Sequence, residues 1–175
     1  MLLCLESGGG LVHSYGLAAS QLQRIVDAGL QLTVAVDKVA ASGGYMMACV
    51  GQRIIAAPFA VIGSIGVLAQ LPNFHRLLKK ANVDFEQLTA GEYKRTLTLF
   101  GENTEEGRRK LQEEIEDTHL LFKEFVAAHR EQVPIDDVAT GEVWYGQRAL
   151  DRGLVDELRT SDSYVQDNLA ERDVF

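Results

Sequence analysis

The segment Asp37-Lys38-Val39-Ala40-Ala41-Ser42-Gly43-Gly44-Tyr45 has the residue types of a nucleophile site. The apolar run Leu32 to Val36 ends, the chain turns, a serine is presented and a helical pattern begins. A hydroxyl placed there lies beside the first backbone N–H groups of a helix, where partial positive charge favours a developing oxyanion. Gly43 and Gly44 are expected to let a substrate backbone approach closely. The segment differs from a Gly-x-Ser-x-Gly elbow, because Ala40 and Ala41 precede Ser42. A serine in this position serves equally well as a helix N-cap, so the segment alone leaves both readings open.

A nucleophilic serine needs a base. None of His13, His75, His119 or His129 is well placed by pattern, and each reads more simply as a surface or core histidine. A lysine can replace histidine if burial lowers its pKa from ~10.4 toward the working pH. Each unit of depression costs about 1.4 kcal/mol, so such a lysine needs a dry, shaped pocket.

The elements around these residues alternate between strand and helix. Leu2 to Leu5 reads as a strand and Glu6-Ser7-Gly8-Gly9-Gly10 as a sharp turn. A helix is expected from about Ser14 to Ala28, with Leu17, Leu22, Ile25 and Val26 on its apolar face and Gly29 as its stop. Leu32 to Val36 has the continuous apolar character of a strand buried on both faces. A short helix from Gly43 follows, then strands near 53–57 and 63–68. Further on come a helix over 73–81, a strand over 83–88 and a loop through Gly91 to Lys94. A long helix over 105–131 is expected, opened by an Asn103/Glu106 capping box, with the stripe Leu111, Ile115, Phe122, Phe125, Val126. The last third holds Val143-Trp144-Tyr145, a short helix over 147–152, the apolar Leu154-Val155 and an acidic tail. This order predicts an α/β fold with a mostly parallel sheet and right-handed crossovers, in a single domain over 1–175.

Composition narrows the function. With 175 residues and 46% hydrophobic content the chain can bury a real core, and 24% charged residues without long single-sign runs argues against disorder. A net charge of -8 argues against nucleic acid as a partner. The basic cluster His75, Arg76, Lys79, Lys80 reads as a solvated helix face. Cys4 and Cys49 read as small buried hydrophobes, and no histidine or cysteine spacing suits a metal. The first residues carry no signal-peptide pattern, and no apolar run approaches the ~20 residues of a spanning helix.

Four blocks, DKVAASGGYMMACV, GSIGV, GEYKRTLTLFGENTEEGR and WYGQRALDRGLVDEL, together resemble the S49 peptidase family, in the family's order and across nearly the whole chain. The resemblance implies the crotonase/ClpP-like superhelix of βαβ units. It implies a serine peptidase without metal or cofactor, in which Ser42 is the nucleophile, Lys94 the general base and Ser64 the hydroxyl that orients the lysine. It gives the oxyanion donors as the N–H of Gly43 and one from the Gly9-Gly10 loop. Substrates implied are short or unfolded apolar peptides, including signal-peptide remnants. A homo-oligomer is implied, with Lys94 reaching Ser42 of a neighbouring copy. Leu97, Leu99 and Phe100, with no obvious partner in the sequence, fit that expectation. A membrane anchor and further residues before Met1 are expected in the full-length form, at the periplasmic face of a bacterial inner membrane, with the chain itself soluble.

The first glycine loop departs from the family's Ser-Pro-Gly-Gly, reading Ser7-Gly8-Gly9-Gly10, which gives its backbone more freedom. Three rivals follow: a crotonase-like acyl-CoA enzyme, a Ser-His peptidase using His75 or His119, and an inactive core that only assembles.

Overall fold

The computed structural model describes residues 1–168. In chain order the elements are β1 (Leu2–Cys4), α1 (Val12–Asp27), β2 (Thr33–Val36), β3 (Val39–Ala41), α2 (Gly43–Ala48), β4 (Arg53–Ala56) and β5 (Val61–Gly63). They continue with α3 (His75–Lys80), α4 (Glu105–His129), α5 (Ile135–Val138), β6 (Val143–Tyr145), α6 (Gly146–Asp151), β7 (Glu157–Leu158) and α7 (Ser161–Asn168). The described residues form two compact units, Met1–Gly66 with those from Leu121 onward, and Val67–Leu120.

The first unit holds two sheets. One is all parallel, in the order β1-β2-β4-β7; the other is β3-β5-β6, with β3 parallel and β6 antiparallel to β5. All of β2 is buried, as its unbroken apolar run requires. Beside it Ile54, Ile55 and Ala56 of β4 are fully enclosed. Helix α1 turns Ala19, Leu22 and Val26 toward this core and stops at Gly29. There a left-handed φ of 80° returns the Gly29 amide to the Val26 carbonyl at 2.9 Å. Phe122 and Val126, from the last turns of α4, complete the core.

The buried charge of this unit is paired. Arg130, 3% exposed, donates to both carboxylate oxygens of Asp156 at 2.9 and 2.7 Å and to the Gly153 carbonyl at 2.9 Å. Asp156 also accepts from the Ile54 amide at 2.7 Å. The pair thus joins the chain beyond α4 to the edge of β4.

The second unit is built differently. Among its residues no hydrophobic side chain is buried. Phe100 makes tilted ring contacts with Phe74 and Phe85, at 6.1 and 5.8 Å between ring centres, so it does have partners. Asn73 donates to the carbonyls of Thr98 and Gly101, both at 2.9 Å. The strand expected over 83–88 is absent, because this unit offers no second strand to complete its ladder. The expected capping box is also replaced. Thr104, not Asn103, accepts from the Gly107 amide at 3.0 Å, while the Asn103 side chain takes the Thr98 amide at 2.8 Å.

Two other expectations shift. Strand β5 ends where 63–68 was expected to begin, because Gly63 and Ser64 have φ of 103° and 50°. Cys4 is exposed rather than buried, since β1 lies at a sheet edge; Cys49 is buried. The last residues of the acidic tail lie outside the described residues. No described helix is long and apolar enough to cross a membrane.

Candidate active site

Strand β3 delivers Ser42 to the start of α2. The residue has φ 53° and ψ −125°, far from the extended backbone usual at an N-cap, and its side chain makes no capping bond. Its amide donates to the Gly63 carbonyl at 2.7 Å, while its own carbonyl accepts from Tyr45 and Met46 at 2.9 and 3.0 Å. The hydroxyl is therefore left out of the local hydrogen bonding, on a backbone that costs about 1–3 kcal/mol to hold. What holds it is α2, whose Tyr45 is fully buried and donates its phenol to the Leu154 carbonyl at 2.8 Å.

Strand β5 brings Ser64 alongside. Ala41 and Gly63 are the last paired residues of β3 and β5, so Ser42 and Ser64 leave the sheet together. Ser64 is fixed through its amide, which donates to the Glu142 carbonyl at 2.7 Å. Gly63 is small because a Cβ there would come within 3.1 Å of Trp144.

The glycine loop after β1 closes on the same place. Ser7 is fixed by main-chain bonds, donating to Val39 at 2.9 Å and accepting from the Ala41 amide at 3.0 Å. Gly9, at φ 92°, lies so close that a Cβ would be 2.6 Å from Ser42 Cβ and 2.8 Å from the Gly43 amide nitrogen. The Gly9 amide donates to Ser7 Oγ at 3.2 Å. Packing within the chain also requires glycine at 43 and 44. A Cβ on Gly43 would meet the Tyr15 ring at 2.4 Å, and one on Gly44 the Ser7 carbonyl at 2.3 Å. The space a side chain would take at these two positions is filled by this chain's own groups.

Lys94 belongs to the second unit. It closes the turn from Gly91, donating its amide to the Gly91 carbonyl at 3.2 Å, and its side chain is exposed. An open depression beside it is lined by Gln87, Leu88, Thr89, Ala90 and Arg95. The geometry thus brings together Ser42, Ser64, Gly9 and Gly43 in the first unit, and puts Lys94 on the other.

Three of the four histidines are engaged elsewhere or exposed. His129 is bound through both ring nitrogens, to the Phe125 carbonyl at 2.7 Å and Gln23 at 3.0 Å. His75 meets the Phe100 carbonyl at 3.3 Å, and His13 is exposed on α1. Among the described residues no cluster of histidine, cysteine and carboxylate suits a metal ion.

Residues 24–174 match the sequence model of Peptidase family S49, and residues 1–22 that of Peptidase family S49 N-terminal. The chain belongs to peptidase family S49. Its mixed α/β architecture, with the mostly parallel first sheet, is the family's ClpP- and crotonase-like fold. Probable protease SohB of Haemophilus influenzae is 61% identical over 175 residues, covering 100% of this chain and 50% of that protein. Probable protease SohB of Buchnera aphidicola subsp. Schlechtendalia chinensis is 61% identical over 165 residues, 94% of this chain and 54% of its own. A putative protease of Methanocaldococcus jannaschii is 33% identical over 172 residues, 95% and 54% of the two chains. The chain spans about half the length of the curated relatives it matches. Within the S49 frame, Ser7 and Tyr15 are the site neighbours that sequence reasoning missed. The tyrosine carries no motif, and its contact with Gly43 joins residues far apart in the chain.

Proposed function

We propose that this chain carries the catalytic machinery of a serine peptidase that hydrolyses short or unfolded apolar peptides through Ser42 and Lys94. The observation that carries this reading is Ser42 itself: a strained N-terminal helix residue whose hydroxyl makes no capping bond. A structural cap would use that oxygen.

In this reading Ser42 Oγ attacks the peptide carbonyl carbon while its proton passes to the neutral amine of Lys94. The carbonyl electrons move onto oxygen, and the N–H of Gly43 with one from the Gly9-Gly10 loop stabilises that charge. Lys94 returns the proton to the leaving amine as the C–N bond breaks. Water, activated by the same amine, then releases the acyl group. Ser64 holds the lysine amine by a hydrogen bond, a role supported by its emergence beside Ser42.

Lys94 is exposed in the single chain, so its surroundings in the active state come from elsewhere. A homo-oligomer in which Lys94 serves the Ser42 of a neighbouring copy provides them. In support, the unit that carries Lys94 buries no hydrophobic side chain and leaves Leu88 96% exposed. Family membership supports the inner-membrane, periplasmic-face setting, and the signal-peptide remnants as substrates, only by likeness.

The test is hydrolysis of fluorogenic apolar peptides by the full chain. Ser42→Ala and Lys94→Ala should each abolish it while the fold persists by circular dichroism. Full activity in either variant would end this reading. Hydration of an acyl-CoA thioester surviving Ser42→Ala would favour the crotonase-like alternative. Loss of activity on changing His75 or His119 alone would favour a histidine base.

A further inference from the structure

The loop Ser7-Gly8-Gly9-Gly10 has three glycines in succession, yet one of them must hold a left-handed backbone against Ser42. Main-chain pairing with β3 ends at Ser7, leaving the glycines outside any ladder. Freely jointed glycines lose more conformational freedom on ordering than any other residue. Something other than the sheet has to hold them.

Two side chains do so. Ser7 Oγ accepts from the Gly9 amide at 3.2 Å, and the same oxygen lies 2.8 Å from the Tyr15 hydroxyl. One hydroxyl proton and two lone pairs satisfy both contacts at once. Tyr15 stands on the first turn of α1, and its ring covers both Gly43 and Gly10, whose added Cβ atoms would meet it at 2.4 and 2.9 Å. The residue therefore touches the loop, the hydroxyl that fixes the loop, and the residue that follows Ser42.

We propose that Ser7 and Tyr15 are positioning residues: their hydroxyl pair fixes the Gly9 amide and thereby sets the loop that supplies an oxyanion donor beside Gly43. This rests on the serine-peptidase reading above. With the Gly9 N–H committed to Ser7, the Gly10 N–H is the loop amide left to donate to an oxyanion. The pair does here, with side chains, what a proline in the loop does by fixing φ. Neither residue touches the reacting atoms, so neither is catalytic.

Tyr15→Phe removes only the hydroxyl and keeps the ring over Gly43; Ser7→Ala removes the shared oxygen. Two measurements on the full chain read the effect. Amide hydrogen exchange by NMR follows Gly9, expected to speed up by about tenfold in Ser7→Ala and by less in Tyr15→Phe. A leucine-terminated peptide aldehyde forms a hemiacetal with Ser42, and its oxygen occupies the oxyanion position. Its affinity should fall by about tenfold in Ser7→Ala and severalfold in Tyr15→Phe. KM for the matching peptide should change less than about twofold, because the ground-state carbonyl depends little on those donors. The double variant should match Ser7→Ala, since both changes break one device.

Unchanged Gly9 exchange, or faster exchange with unchanged aldehyde affinity, would overturn the proposal. Equal aldehyde binding by wild type and Ser42→Ala, including no binding by either, would overturn the peptidase reading and this proposal with it. That pattern is distinct, because it appears without any change at Ser7 or Tyr15.

Discussion

Ser42 and Ser64 follow the last paired residues of two neighbouring parallel strands, Ala41 and Gly63, and each turns out of its strand with a left-handed φ, 53° and 50°. The Ser42 amide bonds the Gly63 carbonyl at 2.7 Å, so one strand's exit braces the other's. Two non-glycine residues in sparsely populated backbone, side by side, are a concentration of strain of the kind found at working sites.

That strain can be measured. Ser42→Gly relieves the positive φ whereas Ser42→Ala keeps it. Ser42→Gly should be the more stable of the two by about 1 kcal/mol in urea denaturation, even after glycine's greater unfolded-state entropy. Both should be inactive.

The glycines of the first loop should behave in opposite ways. Gly8 has open space around it and an ordinary backbone, so Gly8→Ala should be neutral or stabilise by up to about 1 kcal/mol. Gly9→Ala meets Ser42 Cβ at 2.6 Å from a φ of 92°, and should cost at least about 2 kcal/mol and abolish hydrolysis. Thermal denaturation with a peptide assay separates the two.

Arg130 is expected to act on stability through its buried ion pair. Removing it leaves the Asp156 carboxylate, which also holds the Ile54 amide, without its counter-charge. Arg130→Ala should therefore destabilise by about 3 kcal/mol. Equilibrium unfolding of the variant checks this directly.

Alkaline pH should weaken the fold. Burial pushes the Cys49 thiol up to about 12, against the opposing pull of Arg130, and burial likewise raises the Tyr45 phenol above its usual range. Both are held neutral in the folded state and ionise more readily when unfolded. Their contribution is complete below the unfolded thiol value of ~8.5 and is lost as pH rises toward the folded values. In urea titrations, any advantage of wild type over Cys49→Ala should shrink by up to about 1.4 kcal/mol per pH unit above ~8.5. A constant difference across that range would contradict it.

Local pattern makes much of this legible in the sequence. The buried β2 announces itself by an unbroken apolar run, α1 by Leu22, Val26 and the Gly29 stop, although Leu17 of the expected face is exposed, and α4 by its long periodicity. What stayed hidden was non-local. Strand β3 is three residues long and exists through its pairing with β5 and a bridge to Ser7, neither of which has a sequence period. The segment over 83–88 alternates like a strand but has no ladder partner, and alternation without a partner forms no sheet. Nothing in the local sequence shows that Tyr15 and Ser7 fill the space a side chain would take at Gly43 and Gly44.

The most direct test of the central claim mixes two inactive proteins. Ser42→Ala lacks the proposed nucleophile and Lys94→Ala the proposed base, and the two are co-refolded in equal amounts to allow mixed assemblies. If Lys94 activates Ser42 of a neighbouring copy, about one site in four receives an intact serine and an intact lysine, and about a quarter of wild-type hydrolysis returns. No recovery from mixtures shown to have co-assembled would contradict the shared pair, and hydrolysis by either variant alone would contradict the pair itself.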